Sequence, residues 1–430
     1  MGDEPMTKQI KIIPKALEGA IEIPPSKSMS HRGVIAAGLA DGESQLDNVL
    51  YSDDIVKTLG AMEGLGASIL QQIEKNTIAY DYKIQGGRKV NKGLIDCKES
   101  GSTLRFLIPI ALTNYNEITF KGSGKLVERP LDIYYDLFKK QGIYYENDAG
   151  KLPLTIKGQL EPGKFQIRGD VSSQFISGLL MALPLLDGDS QIEITTDLES
   201  RDYVEMTLDV LEKFGIIIEK ESRGFLIKGN QVYQPTQIYV EGDYSQGAFW
   251  AVAGLLGKPI ELKGLAQKTS QGDQRILEII KAMGGQIEWQ GDSLVSNPSS
   301  TKGQIIDASQ CPDLVPILAT LAALSEGETQ IINAGRLRIK ESDRLKAITE
   351  ELNQLGAKIS EYPDKLIIEG VSTLRGGKVK GWNDHRIVMA LAIAAIRCEE
   401  EVWIEGYEAV SKSYPTFWMD YKRLGGVIYE

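Results

Sequence analysis

The sequence predicts an α/β protein of two similar domains, each made of three β-α-β-α-β-β units. The first observation behind this is one plan that recurs six times at a spacing of about 70 residues. The plan runs through a polar cap, an apolar helix, a Gly or Asp-Gly turn, a short strand, an acid-rich turn, a second amphipathic helix ending at glycine, and further strand. The second is size: 430 residues exceed what one ordinary core holds. The third is the composition, 42% hydrophobic and 25% charged, which is that of a globular chain.

The copies open near Ser28, Ser100, Ser172, Ser245, Pro312 and Asp384. Their second helices are the plainest repeats: Asp54 to Gly66, Leu131 to Gly142, Tyr203 to Gly215, Asp273 to Gly285, Asp343 to Gly356 and Tyr414 to Gly425. Apolar residues recur in each at helical spacing, and the glycine supplies a left-handed stop. The helices are expected to pack against sheets. The segment Gln9 to Pro24 reads as a strand with no complete repeat of its own, so it is expected to pair with the last one. That places 1–25 with 244–430 in one domain and 26–243 in the other, with a double crossover near 24–26 and 240–244 and Lys27 at the hinge. A stacking scaffold is the alternative; it gives no reason for Lys27, Arg32, Arg105, Asp313 and Arg386 to stand at equivalent helix starts.

A formal net charge of −11 argues against a nucleic-acid binder, although a local cluster of bases still binds a small anion. The apolar runs Leu314 to Leu324 and Ile387 to Ile396 are about half the roughly 20 residues that span a bilayer. Asp3 and Glu4 near the start oppose a secretory signal, and Met6 spoils a myristoylation signal after Gly2. Cys97, Cys311 and Cys398 are isolated, which suits a reducing cytoplasm and neither a disulfide frame nor a cysteine zinc site.

The run Pro24-Pro25-Ser26-Lys27-Ser28-Met29-Ser30-His31-Arg32 is the anchor of the chain. Two prolines hold extended backbone, and Ser26, Ser28 and Ser30 are candidate caps for the helix that follows. Lys27 and Arg32 join the helix N-terminus to make an anion site; an ordinary cap with two solvated bases is the bland alternative. Further on come Glu99-Ser100-Gly101-Ser102-Thr103-Leu104-Arg105, where glycine permits close backbone approach, and the mobile-looking loop Gly122 to Pro130 with Lys125 and Arg129. Ser172, Ser173 and Gln174 open the third unit, with Ser200 and Tyr203 after them, and suit phosphate oxygens or hydroxyls. In the fifth unit Asp313 follows Pro312 at the mouth of an apolar helix. Alternation then places Arg336, Arg338 and Lys340 on one side of a strand, ahead of a helix capped by Ser342. A dipole role covers Asp343; Glu341, wedged between Lys340 and Arg344, is open to passing a proton. The sixth unit offers Asn383-Asp384-His385-Arg386 and Ser411-Lys412-Ser413-Tyr414-Pro415. Two histidines, His31 and His385, exclude a His-rich metal site and read as structural groups at helix starts.

The runs Ser26 to Arg32, Val171 to Phe175, Lys340 to Leu345, Asn383 to Arg386 and Lys412 to Pro415 resemble, in order and over essentially the whole chain, the signatures of the enolpyruvyl transferase family. The resemblance implies an inside-out α/β barrel of two domains that close over substrates. It implies transfer of the enolpyruvyl (1-carboxyvinyl) group of phosphoenolpyruvate to the 5-hydroxyl of shikimate 3-phosphate, releasing phosphate by addition and elimination. No metal or organic cofactor is implied, and the expected setting is a cytoplasmic monomer on the route to chorismate and aromatic amino acids. Carried over residue by residue, Lys27, Ser28, Arg32, Ser172, Ser173, Gln174, Ser200, Tyr203, Asp313 and Lys340 resemble the shikimate 3-phosphate contacts. Lys27, Gly101, Arg129, Gln174, Arg344, Arg386 and Lys412 resemble the phosphoenolpyruvate contacts. Asp313, Glu341 and Lys27 resemble the proton-transfer groups. Glu99 and Arg336 stand where asparagines are frequent, so the charge of Glu99 must be turned away or paired, and Arg336 is not counted as a ligand. The sister transferase that acts on a UDP-linked amino sugar usually carries a cysteine in the loop corresponding to Gly122 to Pro130, and this chain has none there. A non-catalytic small-anion-binding module is the rival from another class.

Overall fold

The structure is a computed structural model, and it describes residues 8–87, 92–114 and 117–430. The readings made on Gly2, Asp3, Glu4 and Met6 lie outside those residues. The second repeat shows the plan in full: strand Lys92–Asp96, helix Gly101–Asn114, strand Glu117–Lys121, helix Asp132–Gln141, then strands Tyr144–Asp148 and Lys151–Lys157. The first two strands pair in parallel, Lys92 opposite Glu117, and the closing hairpin returns antiparallel, Glu117 opposite Lys157. Along Lys151–Lys157 the buried residues Leu152, Leu154 and Ile156 alternate with exposed or half-exposed ones, so one face of the sheet meets the core and the other meets water.

Six sheets of four strands form among the described residues, and each keeps to its own strands without closing into a hydrogen-bonded barrel. The inside-out character lies in the helices. A helix that is apolar all round has no face to give to water, and Tyr244–Leu256, Val315–Ala323 and His385–Ala394 are buried at every residue. The second helices bury one side only; Arg344–Gln354 buries Leu345, Ile348 and Leu352 and exposes Lys346 and Glu350.

The chain resolves into two compact units, residues up to Pro24 with Glu241–Glu430, and Pro25–Val240. Each is completed by strand exchange along the chain. Gln237–Tyr239 supplies the leading strand of the first repeat, parallel to Glu43–Leu50. In the other unit Gly19–Glu22 leads the fourth repeat, parallel to Ile260–Lys263, while Gln9–Ile13 completes the sixth between Val402–Glu405 and Val427–Tyr429. The single strand expected over Gln9 to Pro24 is therefore two strands in two sheets. Pro14, directly after Ile13, has no N–H to continue the first ladder.

Three local expectations are corrected. Arg336 to Lys340 is not a strand: Gly335–Ile339 is a 3-10 helix. Charged residues in alternation carry no buried face here, and Leu337 alone of the turn is buried, so a strand has nothing to pack. The helix after it is capped by Asp343, whose carboxylate accepts from Lys346 N, and not by Ser342, whose hydroxyl donates to Asp384. The segment within Gly122 to Pro130 is likewise a 3-10 helix, Gly124–Glu128, pinned by buried Leu126. A smaller shift concerns the stop after the fourth repeat's second helix, where the left-handed residue is Gly284 (φ +90°) and not Gly285.

Candidate functional site

Within Pro25–Val240, Ser26 is the cap of the helix Lys27–Leu39, accepting from Met29 N at 3.4 Å. The other two serines serve elsewhere: Ser30 Oγ accepts from Leu50 N, and the Ser28 carbonyl accepts from Arg32. Lys27, half-buried, holds Asp54 Oδ2 at 3.2 Å. Arg32 is 2% exposed. Its Nε donates to Thr207 Oγ1, Nη1 to the Ser28 carbonyl and Nη2 to the Tyr203 carbonyl, each at 2.8 Å, with the guanidinium 5.1 Å from the Phe106 ring centre. Burial lowers its pKa to about 10, with Tyr203 pulling the other way, so it stays charged at neutral pH. Three of its donor groups therefore tie Ser28 and Tyr203, two other candidate residues, into one frame.

Ser172 caps Ser173–Ala182 by accepting from Gln174 N, and Ser173 is buried beside it. Gln174 is oriented from both ends: its Oε1 accepts from Arg105 Nη1 and its Nε2 donates to Ser102 Oγ, both at 2.9 Å. Arg105 lies 4.9 Å from the Phe175 ring centre. Gly101 meets Arg129 so closely that a Cβ there would lie 2.7 Å from Nη1. Ser200 takes the left-handed region (φ +51°) just before the helix Arg201–Lys213. The Glu99 carboxylate is turned onto the backbone at Gly124, where a Cβ would lie 2.8 Å from its Cδ. His31 Nδ1 is 2.7 Å from Thr58 Oγ1, and the chain of hydroxyls continues through Thr103 to Ser100 at 2.7 Å each. Burial, and then Lys27 and Arg32, hold the imidazole well below its ordinary pKa, so His31 is a neutral structural group.

In the other unit one carboxylate collects three cations. Asp313 Oδ1 accepts from Arg344 Nη1 at 3.0 Å and Lys340 Nζ at 3.5 Å, and its Oδ2 accepts from Arg386 Nη2 at 3.0 Å. Arg386 also donates to the Asp313 carbonyl and to Ser245 Oγ. Arg344 is fully engaged, with Nη2 on Glu341 Oε2 at 2.7 Å and Nε on Asp384 Oδ2 at 2.8 Å. Burial opposes its charge, but Asp384, Glu341 and Asp313 outweigh that and raise its pKa. Lys340 keeps a quarter of its side chain exposed, yet its ammonium is lowered to about 8, by burial first; Asp313 and Glu341 oppose this while Arg344 and Arg336 add to it. Lys412 Nζ donates to the Asn383 carbonyl at 2.7 Å.

Arg336 donates to the Ser309 carbonyl, and Arg338 holds Asp343 and Glu361. Of the three bases read as one row, Lys340 reaches the Asp313 cluster, its ammonium 3.5 Å from Asp313 Oδ1. Sequence alone gives Asp384 and Asp54 no role at the site. Asp384 sits inside the run Asn383 to Arg386, as N-cap of His385–Ala394, and Asp54 in an acid-rich helix start. Their partners lie 40 and 27 residues away, a distance that no local pattern spans. The buried Cys97, Cys311 and Cys398 are core residues, with burial pushing the Cys311 and Cys398 thiols up to about 12. No helix among the described residues is long and apolar enough to cross a membrane.

A family model described as EPSP synthase (3-phosphoshikimate 1-carboxyvinyltransferase) matches residues 12–420. The chain is 55% identical over 424 residues to the 3-phosphoshikimate 1-carboxyvinyltransferase of Clostridium kluyveri, covering 98% of this chain and 99% of that protein. It is 54% identical over 425 residues to the one from Clostridium acetobutylicum, covering 98% of each. Among solved structures, EPSP synthase from Acinetobacter baumannii superposes with a TM-score of 0.80 at 24% identity, covering 99% of this chain and 100% of that one. The enolpyruvyl transferase NikO from Streptomyces tendae superposes with a TM-score of 0.80 at 17% identity, covering 99% of each. The two structural likenesses show a shared fold.

Proposed function

The chain belongs to the EPSP synthase family, and from that premise we propose how its residues serve the two substrates. The enzyme transfers the 1-carboxyvinyl group of phosphoenolpyruvate to the 5-hydroxyl of shikimate 3-phosphate, a step of the shikimate pathway. The hydroxyl oxygen bonds to C2 of phosphoenolpyruvate while a proton adds at C3. A proton then leaves C3 as the C2–O bond to phosphate breaks.

Shikimate 3-phosphate is assigned Lys27, Ser28, Arg32, Ser172, Ser173, Gln174, Ser200, Tyr203, Asp313 and Lys340. Phosphoenolpyruvate is assigned Lys27, Gly101, Arg129, Gln174, Arg344, Arg386 and Lys412. Both substrates are polyanions, and paired N–H donors of arginine suit carboxylate and phosphate oxygens. The observation that carries the reading is Asp313, a carboxylate on which Arg344, Arg386 and Lys340 converge. A substrate anion that takes Arg344 and Arg386 leaves Asp313 with fewer cations and so makes it a stronger base for the 5-hydroxyl proton. Glu341, on Arg344, and Lys27 are assigned the proton added at C3. The working form is proposed to be a cytoplasmic monomer, and light scattering at twice the chain mass would overturn that part.

Phosphate release from phosphoenolpyruvate, measured with shikimate 3-phosphate and separately with a UDP-linked amino sugar as acceptor, tests the substrate assignment. Release with the first acceptor alone is expected. Release with the second alone overturns it.

A further inference from the structure

The turn from Gly381 to Asp384 carries two adjacent residues in the left-handed region, Trp382 (φ +53°) and Asn383 (φ +51°). Backbone of that kind is disfavoured wherever a Cβ is present and persists only where the surroundings hold it. The helix Arg344–Gln354 holds this turn twice. Arg344 in its first turn bonds Asp384, and Glu351, seven residues and hence about two turns further on, bonds the residues before it. Glu351 is 7% exposed. One of its oxygens accepts from Trp382 Nε1 at 2.6 Å and the other from Lys380 N at 2.9 Å. Two cavities, of about 330 and 630 Å³, are both lined by Lys380, Trp382 and Glu405. The indole has open space beside it and the Lys346 ammonium 5.9 Å from its ring centre, and its N–H, given to Glu351, sets the direction of the ring. The next residue, Asn383, presents the carbonyl that accepts from Lys412 Nζ at 2.7 Å.

We propose that Glu351 is a positioning residue for phosphoenolpyruvate: through the Trp382 indole it fixes the Asn383 carbonyl, which in turn aims the Lys412 ammonium. The inference rests on the assignment of Lys412 to that substrate made above. Asp384 does not depend on Glu351, because Ser342 Oγ, Arg344 and Arg386 N all bond it separately. Loss of the Glu351 bond therefore falls on Lys412 and not on the Arg344 cluster, and its signature is weaker phosphoenolpyruvate binding with turnover little changed.

The test is steady-state kinetics of the full chain carrying Glu351→Gln, Trp382→Phe, Lys412→Ala, and the pair Glu351→Gln with Lys412→Ala. Glutamine cannot accept on both sides, and phenylalanine keeps an aromatic ring but loses the N–H. Glu351→Gln and Trp382→Phe are each expected to raise KM for phosphoenolpyruvate about tenfold, with kcat and KM for shikimate 3-phosphate within about twofold. The pair is expected to be no worse than Lys412→Ala alone, since residues acting through one contact do not add. The proposal is overturned if Lys412→Ala raises that KM while Glu351→Gln and Trp382→Phe do not, or if the effects of the pair multiply. Should Lys412→Ala itself leave KM for phosphoenolpyruvate unchanged, the Lys412 assignment fails first and the proposal falls with it. A purely structural role for Glu351 would lower the melting temperature without separating KM from kcat, and that outcome also overturns the proposal. If Glu351→Gln does not fold, Trp382→Phe gives the same readout with the helix intact.

Discussion

Arg344 and Asp384 are joined by a 2.8 Å bond from Nε to Oδ2 in which the arginine side chain is 1% exposed and the aspartate 0%. The same carboxylate accepts from Ser342 Oγ and caps His385–Ala394 through Arg386 N. Removing one partner of a buried pair leaves the other without compensation. Asp384→Ala is expected to cost about 3 kcal/mol, the low end for a broken buried pair because Asp313 and Glu341 still face the guanidinium. Urea unfolding of the variant measures it; a loss below about 0.5 kcal/mol, the range of an ordinary surface change, would show that Asp384 carries no such burden.

Lys340 titrates near pH 8, lowered from its ordinary 10.5 by burial first. Its positive charge is therefore complete well below that pH, half lost at it and gone well above it. If Lys340 holds shikimate 3-phosphate, kcat/KM for that substrate falls on an alkaline limb near pH 8, since kcat/KM reports groups of the free enzyme. Lys340→Arg should move the limb out of range while lowering the plateau. Stability runs the other way: the folded state disfavours charged Lys340, so the penalty is full below about pH 8 and fades as pH rises toward 10.5. An unchanged limb in Lys340→Arg would assign it to another group.

Local chemistry made much of this arrangement legible. Ser26, Ser172 and the glycine after Asp132–Gln141 announce helix ends because caps and left-handed stops act within a few residues. The repeat exposed the six β-α-β-α-β-β units for the same reason, each being one copy of a local plan. Partners set by tertiary packing were not legible: Thr207 for Arg32 lies 175 residues away, and Gln9–Ile13 finds its sheet at Val402–Glu405. The row Arg336, Arg338, Lys340 misled because period-two spacing of charges looks like a strand, whereas only period-two burial makes one. Asp384 was visible as a letter but not as a partner, since nothing near it in sequence names Arg344.

Gly101 leaves no room for a side chain beside Arg129, a Cβ falling 2.7 Å from Nη1. The atom it would strike is the far end of a flexible side chain, so the arginine moves and the fold does not. Gly101→Ala is expected to raise KM for phosphoenolpyruvate about tenfold, roughly 1.4 kcal/mol of binding, with KM for shikimate 3-phosphate and the melting temperature little changed. Equal weakening of both substrates would place the effect on the fold and not on Arg129.

His31 is buried among Thr58, Lys27 and Arg32, and its pKa lies well below the usual 6.5. Above that value the ring is neutral folded or unfolded and contributes no pH dependence. As pH falls below 6.5 the unfolded chain takes up a proton that the folded chain refuses, so stability is lost on the acid side. His31→Asn keeps a hydrogen-bonding group toward Thr58 without the titration. Between about pH 6.5 and 5 its melting temperature should fall less steeply than that of the parent, and parallel curves would remove His31 from the acid response.

Asp313 combines two demands that a substitution can separate. Its charge balances Arg344, Arg386 and Lys340, and its oxygen is the proposed acceptor of the 5-hydroxyl proton. Asp313→Asn keeps shape and an accepting oxygen but removes the basic carboxylate, so kcat should fall by about 10²–10⁴, the usual worth of a general base. The three cations lose a counter-charge at the same time and become more available to anions. Binding of phosphoenolpyruvate measured by calorimetry should therefore hold or tighten while turnover collapses. A variant that instead loses phosphoenolpyruvate binding and keeps kcat at saturation would make Asp313 a structural spacer and move the base elsewhere.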